Sequence, residues 1–362
     1  MKNLYNKIFS LKLKIKYYLK DKNNNKKRYN ELNALQIFKI NVNSNIDQLN
    51  LNNKVFSFIL FLAIIIINFS YSNEKNNKIR KLDLSSYILV YINQTGSSQF
   101  LSQDFQTSPD KILINNAQVS SSIKSYNFES LNNTIKLTWN SLITNCSQMF
   151  YYCSNITSID ISNFDTSKAV SMSNMFEHCF KLISIDFTNI DTSSLTNMNS
   201  MFWSCNSLLT LDLSYFNTAK VVDMEHMFKY CYVLTSINFQ NFDTSSVTSI
   251  KCMFMQCKKL LSVDLSSFNT DSVTYLGHMF KECKSLISVD LSSFDTSEVT
   301  FLGYIFDSCT SLKSINFGNN FDTSKVNDIK NMFKDCTSLT SIDLSNFNMT
   351  SVEYSQFMFF WL

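Results

Sequence analysis

Two periodicities alternate along the C-terminal two-thirds of this 362-residue chain, and each predicts a different element. In Leu182, Ile185, Phe187 and Ile190 the apolar residues follow the spacing L-x-x-L-x-L-x-x, with Ser184, Asp186 and Thr188 turned the other way. That alternation predicts a short β-strand with one face on a core. From Leu195 through Met198, Met201, Phe202 and Cys205 to Leu208 the spacing lengthens to three or four, which predicts a short helix or helical turn against the same core. Asp191-Thr192-Ser193 lies between the two and supplies the cap.

The unit then recurs. Cys153, Cys179, Cys205, Cys231, Cys257, Cys283 and Cys309 stand 26 residues apart; Cys336 follows after 27, where Gly318-Asn319-Asn320 inserts one residue. A fixed period of this length predicts a solenoid whose coils stack at about 4.8 Å. The expected fold class is therefore an α/β solenoid of leucine-rich-repeat type over residues 137–362, with one parallel β-sheet, short helices on the opposite side and an incomplete last repeat. Residues 73–136 lack the period, and their alternating stretches at 87–92, 111–115, 123–127 and 134–139 predict a small β-rich cap over the first coil. Phe357, Phe359, Phe360 and Trp361 sit in an unfinished coil, so a further segment is expected beyond Leu362.

Ahead of the cap, Val55 to Ile67 is an uncharged apolar run, shorter than the roughly 20 residues of a spanning helix. Ser70-Tyr71-Ser72 places small residues for cleavage before Asn73. Residues 55–72 are thus expected to be a signal peptide or a signal anchor, the latter holding the membrane through residues 55–69. Both readings put the body in an extracellular or cell-surface location. Residues 1–54 carry 12 Lys or Arg against 3 acids and are expected to be a disordered basic leader.

Composition narrows the function. Four glycines and one proline leave the turns to Asn, Asp and Ser and disfavour a glycine-rich nucleotide-binding enzyme. Residues 73–362 carry 20 bases against 26 acids, which disfavours nucleic acid as a partner. No H-E-x-x-H, G-x-S-x-G, Walker, G-x-G-x-x-G or paired Cys-x-x-Cys pattern occurs, so neither catalysis nor a cofactor is expected.

Four columns of the repeat are candidates for chemistry. Asp160, Asp186, Asp212, Asn238, Asp264, Asp290, Asn316 and Asp343 fall on the strand face away from the core, expected to be concave. Charges at strand spacing repel by only about 1 kcal/mol in water, and flanking Ser hydroxyls can donate to them, so this ladder stands without a ligand. Stacked carboxylates are also hard oxygen ligands, which makes Asp160, Asp186, Asp212, Asp264, Asp290 and Asp343 candidate binding residues for weak Ca²⁺ or a cationic partner patch. A second column, Asp165, Asp191, Asn217, Asp243, Asn269, Asp295, Asp322 and Asn348, reads as caps, because Asp and Asn interchange. The repeating cysteines read as buried reduced thiols, with Cys146 and Cys252 expected as the exceptions because they fall outside that column. His226, Cys252 and His278 share one column and are zinc ligands by type, but Asn174, Ser200, Tyr304 and Asn331 fill it elsewhere, as at a tolerant surface position.

The frame S-I-D-L-S-x-F-D-T-S-x-V-x-x-M-x-x-M-F-x-x-C, nearly complete in Ser288 to Cys309 and Ser341 to Phe359, resembles the BspA-type leucine-rich-repeat surface proteins over residues 137–362. The resemblance implies surface display and adhesion to, or binding of, extracellular or host cell-surface proteins. The chain lacks a lipoprotein Cys after the apolar run and a wall-sorting tail, which leaves the anchoring mode open. The expected function is a surface or secreted interaction module; the alternative is the ectodomain of a receptor or sensor with further sequence beyond Leu362.

Overall fold

The structure, a computed structural model, describes residues 86–360. The basic leader and the apolar run of residues 55–72 lie outside the described residues. Six strands precede the coils: β1 (Ser86–Ile92), β2 (Gly96–Gln99), β3 (Lys111–Ile114), β4 (Ala117–Val119), β5 (Ser125–Phe128) and β6 (Asn133–Trp139). Six shorter ones mark successive coils: β7 (Ile156–Asp160), β8 (Ser184–Asp186), β9 (Thr210–Asp212), β10 (Ser236–Asn238), β11 (Ser288–Asp290) and β12 (Ser314–Asn316).

The first coil is covered by main-chain pairing. β1 runs antiparallel to β6 on one side and to β7 on the other, with Val90 opposite Ile159, so the sheet continues in the order β4-β3-β6-β1-β7-β8. Ile88, Val90 and Ile92 alternate inward and are buried with Ile135, Leu137 and Trp139, which gives these residues and the coils one continuous core. On the opposite flank Ser102 N–H donates to Met149 O (2.9 Å), closing another edge of the first coil.

The expected helices are absent among the described residues, and chained turns replace them. In the segment from Met172 to Cys179, Met175 N–H bonds back to Met172 O (3.2 Å) and Cys179 N–H to Phe176 O (3.1 Å). The intervening amides point forward: Asn174 to Asn199 O (2.9 Å), Phe176 to Met201 O (2.9 Å) and His178 to Trp203 O (2.8 Å). The reason is spacing. Packed helices need about 8–10 Å between axes, whereas coils stacked by strand pairing advance about 4.8 Å. A turn segment spends half its amides on the next coil and keeps both flanks at one pitch. Parallel single-residue bridges accordingly run unbroken along this flank from Asn145 through Ser171, Asn197, Asp223, Ser249, Tyr275, Phe301 and Asp328 to Tyr354.

Each turn segment places two residues in the left-handed region: Asn174 and His178, Ser200 and Ser204, His226 and Tyr230, Cys252 and Gln256, His278 and Glu282. Such turns ordinarily take Gly or Asn, because a Cβ there costs about 1–2 kcal/mol. Ser204 has φ 59° and is 5% exposed, with no hydrogen bond from its hydroxyl. Ser204→Gly is therefore expected to raise the unfolding free energy by about 0.5–1 kcal/mol, after the larger chain entropy of glycine is subtracted. Chemical denaturation measures it, and a loss of stability would contradict the turn geometry.

The strand flank differs from the single parallel sheet expected. β7 pairs with β8, β9 with β10 and β11 with β12, but these pairs form separate ladders, and residues 262–264 and 341–343 form no strand. The continuous stitching therefore lies along the turns.

Inside, four columns carry the stack. Phe150, Phe176, Phe202, Phe228, Phe254, Phe280, Phe306, Phe333 and Phe359 stack nearly parallel at 5.5–6.0 Å. The methionines of the Met-Phe pairs fill the space beside them and are fully buried in Met175, Met201, Met227, Met253, Met279 and Met332. All ten cysteines, Cys146 and Cys252 included, are buried free thiols. In the repeating column each thiol from Cys179 onward donates to a phenylalanine carbonyl of the preceding coil, as Cys205 Sγ to Phe176 O (3.2 Å) and Cys283 Sγ to Phe254 O (3.0 Å), whereas Cys153 Sγ accepts from Gln99 Nε2 (3.7 Å). A small side chain with one weak donor fits that position, and burial pushes the Cys231 thiol up to about 12, so the thiolate needed for exchange is suppressed. The fourth column is threonine. Thr244 Oγ1 donates to Asn269 O (2.7 Å) and accepts from Asn269 N–H (2.8 Å), and Thr192 and Thr218 treat Asn217 and Asp243 alike.

Candidate interaction surfaces

The strand-face aspartates close turns. Asp160, Asp186, Asp212, Asp264, Asp290 and Asp343 each accept, through Oδ1, the amide two residues on, at 2.9–3.0 Å. Asn238 and Asn316 do the same and also donate their amides to Asp212 (3.0 Å) and Asp290 (3.1 Å). This turn explains why Asp and Asn interchange. In Asp212 and Asp343 the amide of the following Ser, and in Asp264 and Asp290 its hydroxyl, holds the carboxyl below its ordinary range. A shallow groove of about 750 Å³ opens beside β10, lined by Asp212, Asn238, Gln240 and Asp264. Its carboxylates already accept bonds, and among the described residues no three His, Cys, Asp or Glu side chains gather to hold a metal ion.

The second Asp and Asn column does the same work one corner later. Asp165, Asp191, Asp243 and Asp295 accept from Ser167, Ser193, Ser245 and Ser297 at 2.9–3.0 Å. These residues begin a turn in place of a helix, for example Val221 N–H to Thr218 O (2.9 Å).

The turn flank carries different chemistry. All three histidines of the chain lie on it, inside a ridge of rings that crosses successive coils. His178 meets Tyr152 (4.3 Å) and Trp203 (6.0 Å); Trp203 stacks on His226 (5.5 Å) and meets Tyr230 (6.2 Å), which stacks on Tyr232 (5.9 Å). Further along, Tyr275 stacks on Phe301 (4.5 Å) and His278 on Tyr304 (4.6 Å). Gly277 and Gly303 make room: a Cβ on Gly277 would lie 2.3 Å from the Phe301 ring, and one on Gly303 2.7 Å.

Lysines cross the same ridge. Lys229 Nζ sits 4.4 Å above Trp203, Lys258 Nζ 4.4 Å above Tyr232, and Lys251 Nζ 5.3 Å above Tyr275. Lys281 and Lys330 also face Tyr304, but they pair with Asp307 (2.5 Å) and Asp328 (2.8 Å). Three buried polar atoms without a hydrogen-bond partner, His178 Nδ1, Trp203 Nε1 and Asn206 Oδ1, lie at the N-terminal half of this ridge. His226, Cys252 and His278 occupy a left-handed turn position there, with His226 and His278 engaged by Trp203 and Tyr304.

Burial depresses the pKa of His178 and His226, and burial with Lys281 and Lys251 nearby takes His278 down to about 4. The unfolded imidazole titrates near 6.5, so between these values the unfolded chain binds more protons. Stability is thus complete above about 6.5 and expected to fall as pH drops toward about 4. Urea midpoints across that range measure the slope, which His278→Gln should flatten. The depressed aspartates act in a lower window, below about 3.9.

Turn-and-strand coils without helices, stacked through Thr, Phe and Cys columns, define a repeat solenoid presenting two long flanks. The sequence matches the family described as "Mycoplasma protein of unknown function, DUF285" over residues 117–238, 231–319 and 291–361, and the chain belongs to that family. No curated protein matches it. Among solved structures, the TLR13–ssRNA13 complex is similar at 15% identity and a TM-score of 0.28, over 57% of this chain and 31% of that one. A leucine-rich cell surface protein from Faecalibacterium prausnitzii A2-165 gives 19% and 0.24, over 54% and 75% of the two chains. The functional domain of InlJ from Listeria monocytogenes, which includes a cysteine ladder, gives 15% and 0.18, over 55% of each. The chain thus spans less than a third of the first of these structures. Among the described residues no helix is long and apolar enough to cross a membrane.

Proposed function

We propose that this chain is a non-catalytic protein-interaction module, displayed extracellularly or on the cell surface in the manner of the BspA-type proteins, and that its turn flank makes the contact. The observation that carries this is the ridge of Trp203, Tyr230, Tyr232 and Tyr275 under lysine amines. Trp and Tyr dominate binding hot spots because they combine large apolar area with few rotatable bonds. The strand flank offers mainly Ser and Asp, whose carboxylates are engaged by the backbone, and it serves as a secondary acidic surface for weak cation contact.

The partners are extracellular or host cell-surface proteins. Protease treatment of intact cells tests the location: the chain should be digested, and full protection would end the proposal. Photo-crosslinking of the full chain, wild type beside Trp203→Ala/Tyr230→Ala, tests the surface. The wild type should yield a protein adduct that the double variant loses, while equal adducts from both would remove the turn flank from the contact.

A further inference from the structure

The ridge shows which chemistry it leaves unsatisfied. Where neighbouring rings stack near parallel, as Tyr275 with Phe301 (8°), His278 with Tyr304 (9°) and Trp203 with His226 (22°), each ring gives its face to the next coil and turns its edge outward. Aromatic faces carry the negative end of the ring quadrupole and edges the positive end. Lysine amines cover faces that remain open. The surface therefore presents ring edges and ammonium groups, both of which attract anions.

The acids of the same flank keep their charge but are each held by donors or lysines within it. Asp223 accepts from Asn199 (3.1 Å) and from Glu225 N–H (2.9 Å), Glu225 from Ser249 (2.6 Å) and Glu282 from Gln256 (3.1 Å). Asp307 and Asp328 hold Lys281 and Lys330. Among the described residues, Lys229, Lys251 and Lys258 have no carboxylate within ion-pair distance. They lie in two adjacent coils, and Lys229 and Lys251, with Lys281, reach the same His278 and Cys252 electrostatically.

Pitch selects the form of the anion. Coils advance about 4.8 Å, and stacked rings of the ridge lie 4.5 Å apart at Tyr275–Phe301, 4.6 Å at His278–Tyr304 and 5.5 Å at Trp203–His226. An extended peptide brings residues to one side every ~6.8 Å, twice its rise per residue, and loses register within two coils. An α-helix turns once per ~5.4 Å. The geometry points to an acidic amphipathic helix of a partner protein, laid along the solenoid axis with about one turn per coil, its Glu or Asp stripe on Lys229, Lys251 and Lys258 and its apolar residues against Trp203, Tyr230 and Tyr275. This assignment rests on the turn flank being the interaction surface.

The test uses the full chain and a labelled, hydrocarbon-stapled helix of about four turns, with one Glu and one Leu per turn on the same side. Its Glu residues are scattered around the axis in a control peptide. Anisotropy should show binding that weakens with added salt and falls about tenfold or more for the scattered peptide and for Lys229→Gln/Lys251→Gln/Lys258→Gln. The triple Lys→Arg variant should retain it. Equal binding of both peptides overturns the helix register. No loss in the Gln variant, with its thermal melt unchanged, overturns the lysine site, and tighter binding of polygalacturonate or single-stranded oligothymidylate assigns the ridge to another polymer. If the stapled helix fails while Trp203→Ala/Tyr230→Ala still abolishes the cellular adduct, the interaction surface stands and only the acidic helix falls.

Discussion

Phe228→Ala should lower the unfolding free energy by about 3–5 kcal/mol, the range for removing a buried aromatic ring and leaving its cavity. The ring is fully buried between Phe202 and Phe254, both at 5.6 Å and within 5° of parallel, with Phe239 at 6.0 Å. Coils that contact only their neighbours cannot redistribute such a gap, so urea denaturation should show either an earlier midpoint or a transition split at this coil. Phe359, at the equivalent position but 44% exposed, sets the comparison. Its alanine variant should lose under about 1.5 kcal/mol, since much of the ring already meets water. Equal losses at the two positions would contradict the stack.

Thr244→Val should cost about 2–3 kcal/mol, although the side chains have the same shape. The valine leaves both the N–H and the C=O of Asn269 without the hydroxyl that now serves them at 2.8 and 2.7 Å. Each unsatisfied, partly buried group costs about 1–3 kcal/mol, and only part of that is recovered through water. Thr244→Ser should keep the bonds and lose only the methyl packing. Amide hydrogen exchange at Asn269 gives a second readout, faster in the valine variant and near wild type in the serine variant.

The coil period was legible because its cause is steric. Phe, Met and Cys must each meet their own kind one coil away, so Cys153 to Cys309 recur without drift. The helices were misread because a spacing of three or four also describes chained turns. What separates them is amide direction, and Phe176 N–H spends its bond on Met201 of the next coil. The threonine column was hidden within an apparent cap motif, since Thr192 beside Asp191 suits a cap as well as an inner ladder.

The ridge was obscured for a different reason. Its residues change from coil to coil, with Ser200, His226, Cys252, His278 and Tyr304 in one column, and such variation reads as a tolerant position. A surface assembled across coils has no need to repeat. The signals were present in rarity: three histidines, one described tryptophan outside β1 to β6, and two of four glycines on this flank.

Stitching differs between the two flanks, and this governs how the stack of coils yields. Bridges link every coil from Asn145 to Tyr354, whereas strands join as β7 with β8, β9 with β10 and β11 with β12. A load that opens the strand flank finds gaps already placed between doublets, while one that opens the turn flank must break bonds at every coil. The aromatic flank is therefore held at every coil while the strand flank is interrupted, and the ring-to-ring spacing that a partner would grip is the part of the stack most firmly fixed.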